Sequence, residues 1–362
     1  MKHMTAGNRK KLYTVNLILL LLAVLFAVVI ISLSASLQSQ KAAQRWKGEN
    51  SLDFAQLSCF IPEDAKLQLS AVYDFRRAML SKFTEAALDL TSDSTLFVDA
   101  WSTGGKVRVS SASGQGEVRA IAVGGSFFNF HPLNLLDGSY INEGDLMQDR
   151  VLLDEDTAWL LFGGTQLQGM SLKVNNVPFV VAGVIQRESD RASAGAYGEG
   201  MGIFMSYEAY LQLFPEAGIS CYEFVMPEPV KNFSMNFARE KFPIGEGEII
   251  QNTGRYSPAA LLKVVGSFGK RAMQTHGVIY PYWENAARFI EDWCALLLVL
   301  AMLACLLPAL TAVLLIIRLF RRGRTELEEV LVPKLIDSTG EAIRVRQRRL
   351  REKRQGAHDK KK

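Results

Sequence analysis

The sequence predicts an α+β protein in which a large mixed α/β domain, with two lobes, stands between two transmembrane helices. Two long apolar stretches, at about 15–37 and 293–317, carry the first half of that expectation. Each exceeds the ~20 residues that an α-helix needs to cross ~30 Å of hydrocarbon. The roughly 255 residues between them alternate short strand-like runs with helix-like runs, which suits α/β or α+β layers better than a pure sandwich.

The charge pattern sets the expected orientation. Lys2, Arg9, Lys10 and Lys11 precede the first span, and Arg318, Arg321, Arg322 and Arg324 follow the second. Segment 1–14 carries about +4 and 318–362 about +8, so a chain at +4 overall leaves the middle at about −8. Excess Lys and Arg beside a span favours the cytoplasmic side. The expected organisation is therefore a cytoplasmic N-terminus (1–14), a first span (15–37), an extracytoplasmic domain (38–292), a second span (293–317) and a basic cytoplasmic tail (318–362). The first span is read as an uncleaved anchor, because its apolar run is longer than a usual signal core of ~7–15 residues. Basic tails beside a membrane set topology and touch anionic lipid, so a nucleic-acid partner is not expected. Pro308 interrupts the second span and predicts a kink.

Within the domain, segment 63–88 has helical spacing, with Leu67, Val72, Phe75, Met79, Phe83 and Ala87 recurring about every four residues. Pro62 suits its start. Runs 96–101 and 106–110 flank Thr103-Gly104-Gly105, which reads as a hairpin, and 118–123 as a third strand. Runs 172–174 and 179–185 are separated by Asn175-Asn176-Val177-Pro178. Segment 187–202 reads as a mobile loop or a link between lobes. Strands at 202–205, 222–226 and 248–252 alternate with helices at 207–214 and 232–241. Ser257-Pro258 starts another helix. Segments 36–46 and 284–293 contain no Gly or Pro, so both spans are expected to continue outward as rigid stalks. Trp46, Tyr280, Tyr282, Trp283 and Trp293 lie where rings favour the headgroup region.

One stretch resembles a known family. Phe127-Phe128 is followed by Leu136-Asp137-Gly138-Ser139-Tyr140, Asp145 and the run Asp149-Arg150-Val151-Leu152-Leu153-Asp154. Ala158, Leu161-Phe162-Gly163, Gly169 and Leu172 come next, then Val177-Pro178-Phe179-Val180-Val181-Ala182-Gly183-Val184-Ile185. This order resembles the periplasmic core domain of MacB- and FtsX-type ABC transporter permeases. Read physically, Asp154 caps a helix that Gly163 ends, and a hairpin buries Phe179, Val181 and Val184. The family usually has four spans, whereas one span follows the domain here. The resemblance implies a permease-like subunit, a separate ABC ATPase subunit, and a further permease chain or second copy beside the lipid bilayer.

Catalytic chemistry is not expected. No G-x-x-x-x-G-K-[ST] loop, G-x-S-x-G elbow or H-E-x-x-H pair occurs. Histidines at 3, 131, 276 and 358 are too scattered for a zinc site, and Asp154-Glu155-Asp156 reads as a helix cap rather than a calcium loop. No cofactor is expected. Cys59 and Cys221 lie in the outer domain, where a disulfide between them is conceivable, and Cys294 and Cys305 lie in the second span. Arg321, Arg322 and Arg324, with the amphipathic segment 325–336, either face an ATPase or only fix topology. A non-transport regulator that recruits an extracytoplasmic partner such as a cell-wall hydrolase is the rival expectation, and an ectoenzyme is a distant third.

Overall fold

In the computed structural model, residues 6–48, 52–85, 96–142, 144–197, 202–326 and 339–346 are described. They divide into two units, one of Met1–Phe26 with Leu300–Lys362 and one of Ala27–Val299. In chain order the elements are α1 (Ala6–Ser36), α2 (Ala42–Lys47), β1 (Phe54–Phe60), α3 (Leu69–Glu85), β2 (Val98–Ser110), β3 (Gln115–Gly125), α4 (Phe127–Phe130) and β4 (Asn134–Gly138). They continue with β5 (Arg150–Asp154), α5 (Glu155–Phe162), β6 (Ser171–Val174), β7 (Val177–Gln186), α6 (Arg191–Ala196), β8 (Gly202–Ser206) and α7 (Tyr207–Leu213). Last come β9 (Cys221–Pro227), α8 (Phe233–Lys241), β10 (Glu248–Gln251), α9 (Pro258–Val264) and α10 (Tyr282–Glu326).

The strands of the larger unit form one sheet in the order β10-β1-β9-β2-β3-β8-β5-β7-β4, and β6 joins both β2 and β7. Because β6 bridges those two strands, the path β2-β3-β8-β5-β7-β6 closes on itself. The expected two lobes are thus corrected to one continuous sheet. The physical reason is the length of β2, whose 13 residues span roughly 40 Å at ~3.3 Å each. Its first half pairs with β9 and its last residues pair with β6.

The same strand overturns the hairpin expected at Thr103-Gly104-Gly105, because β2 runs straight through it. These glycines serve close approach instead of a turn. A Cβ on Gly104 would lie 2.5 Å from the Ala120 carbonyl oxygen, and one on Gly105 would lie 2.7 Å from the Tyr210 hydroxyl. The true turn is Ser111–Gly114, where Ser111 N donates to Gly114 O at 2.8 Å.

Other elements follow their local chemistry. Asp154 accepts a hydrogen bond from Thr157 N at 2.8 Å and starts α5, and Gly163 ends it with a left-handed φ of 76°. Asn175 and Asn176 both have positive φ and form the two-residue turn between β6 and β7. In α3 the buried residues are Val72, Phe75, Met79 and Phe83, as the spacing predicts. Full burial of side chains this size contributes roughly 1.5–3 kcal/mol each. The helix starts at Leu69, later than expected, because Lys66 is left-handed (φ 43°) and Leu67 is bridged to Ile219. Arg76 on α3 holds Asp99 of β2 through two 2.7 Å bonds. Ala87 lies outside the described residues.

Alternation sorts the side chains into two cores. One contains the closed path's interior (Val109, Val118, Val151, Val174, Val181, Ile203, Met205) and the face covered by α3 and α8. The other contains Phe60, Ala100, Phe127, Leu152, Phe204 and Val225, and Trp283 at the start of α10 packs into it. Trp283 is therefore core, contrary to the expected headgroup position. Trp293 is the exposed ring.

Only the second stalk is continuous. α10 is one helix of 45 residues with Pro308 inside it. The first stalk breaks where α1 stops at Ser36, Leu37 is extended (φ −79°, ψ 101°), and one turn of 3₁₀ helix precedes α2. Gln56 of β1 holds this bend, accepting from Ala42 N at 2.9 Å and donating to Ser39 O at 2.7 Å. The expected link at 187–202 contains α6, whose cap Asp190 accepts from Ala192 N and Ser193 N. Its residues 198–201 lie outside the described set. In the smaller unit, Asn16 Nδ2 donates to Thr311 Oγ1 at 2.8 Å, and Thr311 donates to Pro308 O at 2.8 Å.

Gly124 lies against the buried Trp101 ring, and a Cβ there would meet ring atoms at 2.2 Å. Gly124→Ala is expected to lower unfolding free energy by about 1–3 kcal/mol through overpacking. Gly164→Ala, which would meet nothing within 4 Å, is the matched control. Chemical denaturation of both variants checks the difference.

Candidate functional site: a buried charge clamp at the base of α10

The sequence at the start of α10, Tyr282-Trp283-Glu284-Asn285-Ala286-Ala287-Arg288-Phe289-Ile290-Glu291-Asp292, carries two interleaved patterns. Ala286, Ala287, Ile290, Cys294 and Ala295 form an apolar face that packs on Leu261 of α9, Ala196 of α6 and Leu37. Glu284, Arg288 and Glu291 recur at i, i+4 and i+7 and share another face. Residues 283–292 are buried except for the half-buried Phe289. The first three turns of a helix long and apolar enough to cross a membrane are thus built into the domain.

Arg255 supplies the matching cation. The turn after β10, with Gly254 at φ 78°, turns the chain so that Arg255 faces α10. Its guanidinium donates to Glu284 through two bonds, 2.7 Å and 2.8 Å, and to Glu291 at 3.0 Å. The side chains of Arg255 and Glu284 are only 3% and 1% exposed. Arg271 adds a second contact to Glu291 at 2.6 Å. Arg288 bonds Glu284 at 2.7 Å within the helix and Glu248 of β10 at 2.7 Å. Backbone groups complete the site: Gly269 N donates to Asp292, and Met273 N donates to Asn285.

Burial alone would lower the Arg255 pKa, but the Glu284 and Glu291 carboxylates reverse that and hold it far above the usual guanidinium range. Burial also pushes Glu248 upward, yet the Tyr280 hydroxyl bond and the Arg288 charge bring it below the ordinary carboxylate value. Burial and the bond to Glu248 push the Tyr280 phenol up to about 12. The ring of Tyr280 lies 3.7 Å from the Arg288 guanidinium carbon, a cation–π contact. The arrangement is one of paired charges and hydrogen bonds. It fixes a helix to a sheet through charges of which Arg255, Glu284 and Glu291 are almost sealed from water.

A second buried polar group lies beneath Trp283. His131, next to α4, pairs through Nε2 with Glu223 of β9, and Ser58 of β1 donates to the same carboxylate at 2.7 Å. Trp283 lies 4.3 Å from the His131 ring and 5.5 Å from Phe127, centroid to centroid. α10 therefore rests on this group as well as on the clamp.

Of the residues singled out from sequence, Cys59 and Cys221 are free thiols. Their strands are paired, but Cys59 opposes Tyr222 and Cys221 opposes Phe60. Strand alternation then places the two sulfurs on opposite faces, Cys59 in one core and Cys221 in the other. The disulfide expectation is corrected on that geometry. Asp154 has its carboxylate engaged by Thr157 N, Gly202 N and Arg187. Arg321, Arg322 and Arg324 lie on the last turns of α10 in the smaller unit. Of segment 325–336, residues beyond 326 lie outside the described set. Sequence reading missed Arg255, Glu284, Arg288, Glu291, His131 and Glu223. The available signal was a run of charges at i, i+4 and i+7 directly before an apolar span.

A profile described as the MacB-like periplasmic core domain matches residues 14–229, more than half of the chain. The chain belongs to that family, a membrane protein carrying the periplasmic domain of ABC-type transporter permeases between two apolar helices. Three solved structures are similar to it. The extracellular domain of the noncanonic ABC-type transporter YknZ from Gram-positive bacteria is 14% identical, over 52% of this chain and 92% of that one (TM-score 0.35). The periplasmic region of MacB from Actinobacillus actinomycetemcomitans is 15% identical, over 55% and 89% (TM-score 0.36). A domain of a permease protein from Porphyromonas gingivalis is 10% identical, over 55% and 87% (TM-score 0.32). No curated protein sequence matches. The family match ends before β10, so Arg255 and its carboxylate partners lie outside it.

Arg255→Ala leaves Glu284 with Arg288 alone and Glu291 with Arg271 alone, and is expected to cost at most about 3–5 kcal/mol of domain stability. Arg255→Lys keeps the charge but loses the two-pronged contact, and should fall between wild type and Arg255→Ala in urea denaturation. The Glu248 shift gives a pH dependence. A lowered folded-state pKa makes its contribution complete above the ordinary carboxylate range, about 4.3. That contribution is lost as pH falls through the lowered value. Melting temperature is expected to drop on acidification below that range, and less steeply in Glu248→Gln.

Proposed function

We propose that the chain is a permease-like membrane subunit of an ABC transporter assembly, driven by a separate cytoplasmic ATPase. In this reading both termini are cytoplasmic, as the flanking Lys and Arg suggest. The mixed α/β domain is extracytoplasmic and binds a substrate or partner without catalysing a reaction. A second copy or another permease chain completes the bundle in the bilayer. The observation that carries the reading is the Arg255–Glu284–Glu291 clamp. A domain loosely tethered to its span loses any displacement of that span in the tether. A helix fused to the sheet by buried charge passes displacement into β1, β9 and β10.

Coupling of this kind needs a two-state element biased from both ends, typically by ~1–3 kcal/mol. The first stalk, broken at Leu37, and the unbroken second one differ enough to serve as hinge and lever. The regulator reading also has support, from Leu146 (99% exposed) and Met147 on the loop before β5. An apolar loop tip of this sort suits a protein partner.

Extraction of the tagged chain from native membranes in mild detergent is expected to bring down a P-loop ATPase. Arg255→Lys should retain that subunit and lose several-fold of substrate-stimulated ATP turnover. Recovery of an intact native complex with no ATPase in it contradicts the proposal. An ATPase-bound complex whose deletion leaves export unchanged favours the regulator.

A further inference from the structure

We propose that α9 and the loop to Ile279 form an interfacial foot that rests in the headgroup region of the leaflet on the domain's side. Leu262, Val265, Phe268, Met273, Ile279 and Trp293 are each between 40% and 56% exposed. Five of the six fall within 18 residues of chain (262–279). α9 is seated on the domain by Leu261, which is 1% exposed and packs with Ala286, Ala287 and Ile290. Leu262 and Val265 stand outside that packing.

The occupant is a lipid surface because this patch continues one. α10 is buried through residue 292, and Trp293 is its first exposed residue, followed by Leu296 and Leu300. Residue 293 is therefore where the exposed apolar surface of the helix begins, while Cys294 and Ala295 on its other face stay packed on the domain. The Phe268 ring meets the Trp293 ring edge-on at 6.0 Å, which puts the foot at the level where that surface begins. Aromatic rings favour that depth.

Charge points the same way. Between Glu248 and Glu284 the sequence contains no Asp or Glu, although the domain as a whole carries about −8. The acid-free stretch holds Arg255 and Arg271, committed to the clamp, and Lys263 and Lys270, both exposed. An apolar segment flanked by lysines matches anionic headgroups above acyl chains. Because the stretch also supplies Arg255 and Arg271, contact with lipid would bear directly on the segment that holds α10. The inference requires only that α10 crosses the bilayer, and it stands apart from any ATPase partner.

The test uses the full chain in phosphatidylcholine vesicles, with or without phosphatidylglycerol, containing doxyl-labelled lipid. An NBD fluorophore is attached at Val265→Cys or Phe268→Cys, and at Ser113→Cys as control, with the parent chain's background subtracted. Ser113 is exposed in the turn beyond the far end of β2. Emission at 265 and 268 is expected to shift blue and to be quenched at least about threefold more than at 113. Adding Lys263→Glu and Lys270→Glu should reduce quenching only in the phosphatidylglycerol vesicles. Quenching at 265 and 268 no stronger than at 113 overturns the proposal. A blue shift without lipid quenching also overturns it, by assigning the patch to a second copy or another protein. Equal quenching in the Lys variants overturns the electrostatic component.

Discussion

A guanidinium almost sealed from water must be matched by carboxylates, and those that match Arg255 lie on the helix that leads into the membrane. Glu284 and Glu291 have no alternative solvent once α10 is packed, so sheet and helix cannot separate without exposing unpaired charge. Nearly every feature of the domain base follows from that constraint. β10 contributes Glu248, the loop after it contributes Arg255, and the acid-free stretch contributes Arg271. Ala286 and Ala287 are small enough to let α9 and the end of the first stalk come close. Buried ion pairs add little net stability compared with apolar packing, but removing one partner strands the other. Here the pairs run between α10 and the sheet and loops that face it.

What could be read from the sequence divides along the range of the interactions. α3, the Asp154 cap, the Asn175-Asn176 turn and the pair β9–α8 depend on residues close in sequence, and the pattern states them directly. Thr103-Gly104-Gly105 misled because glycine has two uses. Here it admits the Ala120 carbonyl and the Tyr210 hydroxyl, both from distant elements. The first stalk misled for a similar reason. Nothing between residues 36 and 46 breaks a helix, and the bend is held by Gln56 from β1. The two-lobe expectation failed because closure through β6 depends on pairings about 65 residues apart, such as Val109 with Val174.

The clamp was the least legible part. Arg255 and Glu284 are separated by 29 positions, and neither belongs to a motif. The charges before the second span fit an ordinary solvated stalk equally well, and only burial distinguishes the two. Membership of the MacB-like family was legible because its pattern is one of turns and core residues within 125–185, all local. The family match stops at residue 229, and the part that ties the domain to its second helix lies beyond it.

Native-state hydrogen exchange on the amides of residues 283–292, compared with those of β9, tests the central claim most directly. If the clamp makes helix base and sheet one cooperative body, both sets exchange with the same free energy of opening, and Arg255→Ala lowers it for both. Amides of 283–292 that open well before β9, or that keep their protection in Arg255→Ala while β9 loses its own, would contradict it.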